Sequence, residues 1–338
     1  MPNILVDIHV CPPALARLRA LPGADVHVIP VPEEEESRHL PMELIRDIEI
    51  LACTIPPKNI HNMGKLRWLQ ITSAGYSQLS GLKLVERGIR AANGRGNFDV
   101  PIAEWNVAMM VNLARDLRQM IRNQEGRVWE RAAKFQREIR GLTVGIWGYG
   151  GIGRETARLA KAMGMTVHVL SREGVKPVRD VYCVPGTGDP EGKLPDRVYL
   201  RGQVMDFLSG LDFLVLALPL NPATDGLIGE HELKALPRTA FLLNPARGPL
   251  VKEQPLVQAL REGWIAGAAL DTHYHYPMPP EHPLWQLPNV IFTPHISGSA
   301  LSPHFLTRTW DIFVGNVERD LRGLPLLNEL TKPQLDAC

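Results

Sequence analysis

A glycine-rich segment near the middle of the chain has the spacing of a phosphate-binding turn. It reads Gly148-Tyr149-Gly150-Gly151-Ile152-Gly153, which is a G-x-G-x-x-G pattern. It follows a predicted strand, Thr143–Trp147, and opens a predicted helix, Ile152–Met163. In this context the glycines permit a tight turn, close approach of a pyrophosphate and close helix–strand packing. We therefore predict a dinucleotide site that includes these residues: Gly148, Gly150, Gly151, Ile152 and Gly153.

The end of the next predicted strand bears on which dinucleotide is bound. An NAD-preferring site carries an acidic residue about 20 residues after the glycines, where it bonds the ribose 2′-hydroxyl. Here the strand Thr166–Leu170 is followed by Ser171 and Arg172. A hydroxyl and a guanidinium bind a 2′-phosphate, whereas a carboxylate repels it. The sequence therefore predicts NADP(H) as the preferred cofactor and leaves NAD(H) possible.

Two later side chains, each after a predicted short strand, could handle a small anionic substrate. Arg247 follows the strand Ala240–Asn244, and its guanidinium can bind a carboxylate through two parallel hydrogen bonds. His295 follows the strand Val290–Thr293, and its imidazole can give or accept a proton near neutral pH. Taken singly, Arg247 could equally form a surface ion pair, and His295 could be a core histidine.

Taken together, these segments resemble the D-isomer-specific 2-hydroxyacid dehydrogenases. The resemblance rests on the glycine segment, on Asn244-Pro245-Ala246-Arg247-Gly248, on Ala268–Asp271 and on Thr293-Pro294-His295. It covers nearly the whole chain and is strongest between 142 and 300. The N-terminal segment Leu66–Gly75 is similar to the glyoxylate/hydroxypyruvate reductase branch. The resemblance implies hydride transfer between NADP(H) and a small 2-keto acid or 2-hydroxy acid.

The resemblance also implies a role for each matching residue. Arg247 would bind the substrate carboxylate, His295 would give the proton, and Asp271 would bond the nicotinamide carboxamide. Backbone N–H groups of a loop in the other domain would also hold the carboxylate; these belong to Ala74, Gly75 and Tyr76. Further cofactor contacts are implied after an apolar strand, at Leu218 and Pro219.

One position departs from the family pattern. Family members carry a Glu five residues after the Asp, where it pairs with the catalytic His, but Tyr276 stands there without any gap. A phenol can orient the His295 ring but supplies no negative charge to raise its pKa. Three alternatives follow: a working acid with a lower pKa and activity shifted towards low pH, hydride transfer without acid–base catalysis as in formate dehydrogenases, or an impaired NADP(H)-binding sensor.

Regular alternation of strands and helices positions these residues. The rhythm runs through the first 95 residues and resumes at Leu142, which predicts an α/β fold with two Rossmann-like domains on doubly wound parallel sheets. We expect a dinucleotide-binding domain, 100–294, inserted in a discontinuous substrate domain, 1–99 and 295–330, with the active site in the cleft between them. Residues 173–204 fit no clean element apart from a short strand at Val198–Leu200 and are interpreted as an insertion.

A single long helix is predicted over Val100–Gln124. Apolar residues recur there every three or four positions, and about 25 residues span roughly 37 Å. That length suits a bridge between domains or a partner subunit, and the family implies a homodimer through this helix. The apolar face alone would equally suit a contact within the chain.

Composition excludes several other classes of protein. The 338 residues include 37 Lys and Arg against 36 Asp and Glu, too balanced for a nucleic-acid-binding surface. The longest apolar run, Leu211–Leu220, is about ten residues and too short to cross a membrane. The four cysteines are scattered, and His273 and His275 would point to opposite sides of an extended chain, so no metal site is expected. The N-terminus lacks signal-peptide features, so we expect a cytoplasmic protein.

Overall fold

The chain folds as two compact units. A computed structural model describes residues 2–32, 36–131, 136–299 and 301–336. The first unit contains Met1–Phe98, Arg179–Val184 and Ala300–Cys338, and the second contains Asp99–Val178 and Pro185–Ser299. The fourth cysteine, Cys338, lies outside the described residues. Each unit is built on a parallel β-sheet with helices, so the predicted fold class is confirmed.

The helices and strands of the described residues are as follows. The strands are β1 (Asn3–Asp7), β2 (Asp25–Val28), β3 (Ile50–Cys53), β4 (Trp68–Ile71), β5 (Arg90–Ala92), β6 (Thr143–Trp147), β7 (Thr166–Ser171), β8 (Arg197–Leu200), β9 (Phe213–Leu216), β10 (Phe241–Asn244), β11 (Gly267–Leu270) and β12 (Val290–Phe292). The helices are α1 (Pro12–Arg19), α2 (Met42–Ile45), α3 (Asp99–Ala114), α4 (Leu117–Glu125), α5 (Gly151–Ala162), α6 (Val204–Leu208), α7 (Glu230–Ala235), α8 (Glu253–Glu262), α9 (Pro303–Leu321) and α10 (Lys332–Asp336).

The sheet of the first unit has the strand order β2-β1-β3-β4-β5, with every pair parallel. Its central strands are buried along their whole length, as expected when helices cover both faces of a parallel sheet. One cover is α9, which begins after Ser302, whose hydroxyl accepts the His304 N–H (3.3 Å), and has Pro303 in its first turn. Its buried residues Trp310 and Phe313 join the core around α1 and β1.

The sheet of the second unit has the order β12-β11-β10-β9-β6-β7-β8, again with every pair parallel. The sheet grows from β6 in both directions: towards β7 on one side and towards β9 on the other. Open parallel sheets bind ligands at such a reversal of strand order, outside the carboxyl ends of the strands. The segment Gly148–Gly153 leaves β6 at this point, and Leu218 and Pro219 come shortly after β9.

The predicted helix over Val100–Gln124 is wrong in one respect, because it is two helices. The break lies at Asp116, whose φ of 47° is left-handed, and the carbonyl of Ala114 accepts the N–H of Arg137. The apolar face of α3 packs within the second unit, where Met110 and Leu113 join the core that contains α5 residues. Asn106 also donates to the Thr156 hydroxyl of α5 (3.0 Å). The apolar face of α3 therefore packs against α5 of the same chain.

The bounds of the two units differ from those predicted for the domains, by one residue at 98/99 and by more in two other places. The second boundary falls at 299/300 and not at 294/295, so His295 is grouped with the dinucleotide-binding unit. Residues 179–184, inside the predicted insertion, are grouped with the first unit. Their backbone is bonded there, because the Asn328 N–H donates to the Asp180 carbonyl (2.9 Å).

Candidate active site

The dinucleotide loop has the geometry that its glycines predict. Gly148 has a φ of 99°, and a Cβ on it would lie 2.5 Å from the Ala217 carbonyl oxygen. A Cβ on Gly153 would collide with the Gly148 carbonyl, and Gly150 is the N-cap of α5. The first N–H groups of a helix have no carbonyl partner within it, so they can bind phosphate. The loop therefore fits a dinucleotide pyrophosphate.

Three other predicted cofactor residues lie at the carboxyl edge of the same sheet. The Ser171 hydroxyl, at the end of β7, donates to the Gly174 carbonyl (2.8 Å). Arg172 has an 80% exposed side chain and pairs with Glu173 (3.1 Å), which also lies 3.7 Å from the Lys176 ammonium. Leu218 lies beside the loop, because its Cδ2 would be 2.9 Å from a Cβ on Gly148.

Arg247 is held at the end of β10 by the amide side chain of Asn244. The Asn244 oxygen accepts the Ala246 N–H (3.1 Å), and its nitrogen donates to the Arg247 carbonyl (2.9 Å). The turn then passes so close to the His273 backbone that a Cβ on Gly248 would lie 2.5 Å from the His273 carbonyl. The Arg247 side chain itself is exposed. Asn244 is a residue that the sequence analysis did not assign, although an Asn two residues before Ala246 is typical of such turns.

His295 follows β12 in a strained turn. Its φ is 57°, in the left-handed region that few non-glycine residues adopt. The turn is held by Asp271, which is completely buried at the end of β11. The Asp271 carboxylate accepts from the Thr293 hydroxyl (2.7 Å), the Ile296 N–H (2.9 Å), and the Ser297 N–H and hydroxyl (3.0 and 2.5 Å).

These bonds give Asp271 a structural role in this turn. Each of its oxygens already accepts two hydrogen bonds, which is the capacity of a carboxylate. In this arrangement Asp271 orients the turn that carries His295, and its implied bond to the nicotinamide carboxamide stays a prediction.

Tyr276 lies beside His295, but it is bonded elsewhere. The two ring centroids are 5.6 Å apart with an interplanar angle of 56°. The Tyr276 hydroxyl accepts the N–H of His273 (3.1 Å), and among the described residues no hydrogen bond joins the phenol to the His295 ring. The phenol therefore packs beside the imidazole, and as a neutral group it supplies no negative charge to the ring.

Electrostatics lower the basicity of the His295 imidazole. Partial removal from water lowers the pKa of His295 below its ordinary value, and the Arg247 guanidinium lowers it further. Buried Asp271 raises the pKa, but by less. Burial and Arg247 therefore cause this shift, and the effect of a Tyr in place of the usual Glu stays a prediction.

The predicted carboxylate loop follows β4 in the first unit. The Ser73 hydroxyl donates to the Gly75 carbonyl (2.7 Å) and accepts the Gln78 amide (2.8 Å), and Asn93 donates to the Ala74 carbonyl (2.6 Å). The N–H groups of Ala74 and Gly75 meet no acceptor in the part of the chain that the structure describes. The loop therefore offers the kind of backbone donors that a carboxylate needs.

Comparisons with known proteins agree with this arrangement. The family model "D-isomer specific 2-hydroxyacid dehydrogenase, NAD binding domain" matches residues 107–297. The chain is 33% identical to the glyoxylate reductase of Thermococcus gammatolerans, over 80% of this chain and 79% of that protein. It is 29% identical to the glyoxylate reductase of Thermofilum pendens, over 89% and 86%.

A solved structure shows the same fold. It is a D-isomer specific 2-hydroxyacid dehydrogenase from Xanthobacter autotrophicus in complex with NADPH and MES, with a TM-score of 0.76, 25% identity, and 99% of both chains covered. The chain belongs to the D-isomer specific 2-hydroxyacid dehydrogenase family. It is an oxidoreductase that acts on CH–OH donors with a nicotinamide dinucleotide.

Neither a membrane-spanning helix nor a metal-binding cluster is found among the described residues. No helix in the described ranges is both long and apolar enough to cross a membrane. No group of three or more His, Cys, Asp and Glu side chains there could hold a metal ion.

Proposed function

We propose that the protein is an NADP(H)-dependent reductase of small 2-keto acids of the glyoxylate or hydroxypyruvate type. The observation that carries this proposal is the placement of Arg247, Asp271 and His295 at the carboxyl ends of three consecutive strands, β10, β11 and β12. The dinucleotide loop leaves the same edge of the same sheet. A cation for a carboxylate and a proton donor therefore lie in the unit that binds the cofactor.

Substrate binding and proton donation are carried out by different residues. When bound, the reduced nicotinamide supplies a hydride to the carbonyl carbon. The Arg247 guanidinium binds the substrate carboxylate through two N–H groups. The protonated His295 imidazole gives its proton to the carbonyl oxygen, which becomes the hydroxyl of the product. The ring is left neutral and must be protonated again before the next turnover.

The preference for NADP(H) is supported by the end of β7. No carboxylate occupies the position that would bond a ribose 2′-hydroxyl, since Ser171 and Arg172 stand there. Glu173 is shared by Arg172 and Lys176, so two cations surround this carboxylate. The related Xanthobacter autotrophicus enzyme is described in complex with NADPH.

An impaired NADP(H)-binding sensor is the second candidate. The neutral Tyr276 ring beside His295 favours it, because His295 then has no carboxylate partner of the usual kind. The formate-dehydrogenase-like alternative is weaker. The amide of Asn97, the nearest match to the substrate-binding Asn of that branch, is buried and donates to the Thr72 carbonyl (3.0 Å) and the Thr309 hydroxyl (2.9 Å).

A homodimer in the cytoplasm is the expected state of the protein. The support for a dimer is an apolar surface on α4 and the residues after it, where Leu117, Ile121, Val128 and Trp129 are exposed, the last by 90%. Within the second unit, Arg118 of α4 donates to the carbonyls of Leu287, Val290 and Trp285, which holds α4 against this segment.

Steady-state NADPH oxidation with glyoxylate, hydroxypyruvate and larger 2-keto acids tests the proposed reaction. Arg247→Ala removes two charge-assisted hydrogen bonds, so kcat/KM should fall by about 10²-fold or more. Arg261→Ala is the matched control, because Arg261 is an exposed arginine in α8. Tight NADPH binding with no turnover of any 2-keto acid would overturn the reductase and favour the sensor.

A further inference from the structure

A second histidine lies beside the turn that carries His295, and the proposed reaction does not use it. His273 follows β11, two residues after Asp271, and is 5% exposed. Its ring stacks on Phe292 of β12, with the ring centroids 3.9 Å apart and an interplanar angle of 14°. All of these residues belong to the second unit. The His273 side chain is therefore a fixed, buried group in the unit that also carries His295.

The His273 ring is bonded to the turn that carries His295. Its Nε2 atom lies 2.7 Å from the Thr293 carbonyl oxygen. Because a carbonyl oxygen can only accept, Nε2 carries a proton and is the donor of this bond. The same oxygen accepts the backbone N–H of His295 (3.0 Å). One carbonyl oxygen therefore joins the His273 side chain to the backbone of His295.

Hydrogen bonds hold the chain on both sides of His295. After it, two backbone N–H groups donate to the Asp271 carboxylate. Before it, the Thr293 hydroxyl donates to Asp271, and the Thr293 carbonyl accepts from His273. His295 itself has a φ of 57°, which few non-glycine residues adopt, so its backbone conformation depends on these bonds. The bond from His273 fixes the carbonyl to which the His295 N–H is bonded.

The imidazole of His273 is unfavourable for stability in one respect. Its Nδ1 atom is buried and has no hydrogen-bond partner among the described residues. With the proton on Nε2, Nδ1 is an acceptor that is removed from water without a donor, which disfavours folding. A phenylalanine ring would keep the stack on Phe292 and avoid this unpaired nitrogen. The bond from Nε2 to Thr293 is what the imidazole adds at this position.

Burial also keeps the His273 ring neutral near neutral pH. Removal from water lowers the pKa of His273 below the ordinary histidine value, and the bond to Thr293 and the charge of Asp271 raise it by less. A neutral ring carries one proton, and here that proton is on Nε2. His273 is therefore a donor to Thr293 and not a second acid for the reaction.

Tyr276 contacts both histidines. Its hydroxyl accepts the backbone N–H of His273 (3.1 Å), and its ring centroid lies 5.6 Å from that of His295. In the part of the chain that the structure describes, no hydrogen bond joins this phenol to the His295 ring, whereas the usual Glu would pair with it. The direction of the His295 ring therefore depends more strongly on the backbone that carries it.

We propose that His273 is a positioning residue for the reduction. Through the Thr293 carbonyl, its Nε2–H fixes the backbone of His295 and thereby the direction in which the His295 ring gives its proton. The proposal rests on the proposed function, in which His295 is the proton donor. Loss of the His273 donor slows the proton-transfer step and leaves the binding of substrate and dinucleotide unchanged, because Arg247 and the dinucleotide loop have their own supports.

Steady-state glyoxylate reduction by the full-length protein, at a pH at which His295 is protonated, tests this role. His273→Phe removes the donor but keeps a ring that can stack on Phe292. We expect kcat to fall by about 10-fold or more, because small misplacements of a reacting group are costly. KM for glyoxylate and the Kd of NADPH should stay close to the wild-type values. The solvent deuterium isotope effect on kcat should rise, because proton transfer then limits turnover.

His168→Phe is the matched control. The Nδ1 atom of His168 is also buried without a partner among the described residues, and its ring lies 5.5 Å from that of Tyr199. His168 lies in β7, which β11, β10, β9 and β6 separate from β12. The same change is thus made far from the turn of His295, so kcat and the isotope effect should match the wild type. An equal loss of kcat in both Phe variants would overturn the proposal.

His273→Gln is the rescue variant. Its side-chain amide keeps an N–H donor for the Thr293 carbonyl but cannot reproduce the ring stack on Phe292. We expect its kcat to return towards the wild-type value and to exceed that of His273→Phe. A kcat no higher than that of His273→Phe would assign the loss to packing and would overturn the proposal.

Imidazole ¹H–¹⁵N spectra give a readout that needs no turnover. In the wild type they should show a neutral His273 with its proton on Nε2. The His295 signals should shift in His273→Phe and stay unchanged in His168→Phe. A wild-type His273 with its proton on Nδ1, or unchanged kcat and His295 signals in His273→Phe, would overturn the proposal. Absent turnover in the wild type, with the expected spectra, would instead contradict the proposed function.

Discussion

At the scale of single residues, the site replaces a carboxylate–imidazole pair with an aromatic contact. Tyr276 lies where the family places Glu, and its hydroxyl accepts the His273 N–H. The nearest carboxylate, Asp271, is saturated by the turn that it holds, and it raises the pKa of His295 by less than partial burial and Arg247 lower it. His295 can therefore act as an acid, but over a lower pH range than a ring paired with Glu.

Cofactor choice is also decided by single residues. Replacing Arg172 with Asp places a carboxylate at the end of β7, where it would repel a 2′-phosphate and can bond a ribose hydroxyl. We expect the ratio of kcat/KM for NADPH to that for NADH to fall by at least about 10-fold, measured with one 2-keto acid at fixed pH. Arg261→Asp, at an exposed arginine of α8, changes net charge equally and serves as the control. An unchanged ratio in Arg172→Asp would contradict the assignment.

At the scale of elements, the glycines of the dinucleotide loop allow a test of whether this loop binds the pyrophosphate. A Cβ on Gly153 would collide with the Gly148 carbonyl, so Gly153→Ala should displace the start of α5. Dinucleotide affinity should fall by about 10-fold or more, measured by titration of NADPH fluorescence. Gly210→Ala is the control, because nothing lies within 4 Å of a Cβ at that position. Equal affinity in both variants would show that the loop does not bind the pyrophosphate as described.

The elements that periodicity and spacing define were predicted well from sequence. The strand Thr143–Trp147 is found with the predicted bounds, and α5 begins one residue before its predicted start. The break at Asp116 could not be predicted, because it depends on a bond between Ala114 and the distant Arg137. Residues 173–196 were recognised only as an insertion, because they are held by bonds to the buried Arg154 and Glu155 of α5 and not by any pattern of their own.

Some features of the candidate site could be predicted from sequence motifs, and others depend on the folded chain. Arg247 and His295 stand in short motifs at strand ends, which the sequence displays. The saturation of Asp271 involves Thr293, Ile296 and Ser297, more than 20 residues away, and only the folded chain brings these donors to it.

At the scale of the whole molecule, the apolar surface of α4 predicts self-association. Exposed apolar side chains grouped on one surface are typical of an interface. Ile121→Asp places a charge on this apolar surface. The mass measured by light scattering should therefore change from that of a dimer, twice 37.6 kDa, to that of a monomer, 37.6 kDa. Leu324→Asp, at another exposed apolar residue, should leave the mass unchanged. A monomeric wild-type protein would contradict the expected dimer.

The most direct test of the account is the pH dependence of kcat/KM for glyoxylate reduction by NADPH, compared between the wild type and Tyr276→Glu. Reduction needs protonated His295, so the rate should fall as the pH rises through the pKa of this group. In the wild type that fall should centre below the ordinary histidine value of 6.5. A carboxylate at position 276 should move it upward by about 1 unit or more. The same pH profile in both proteins would contradict the claim that His295 donates the proton.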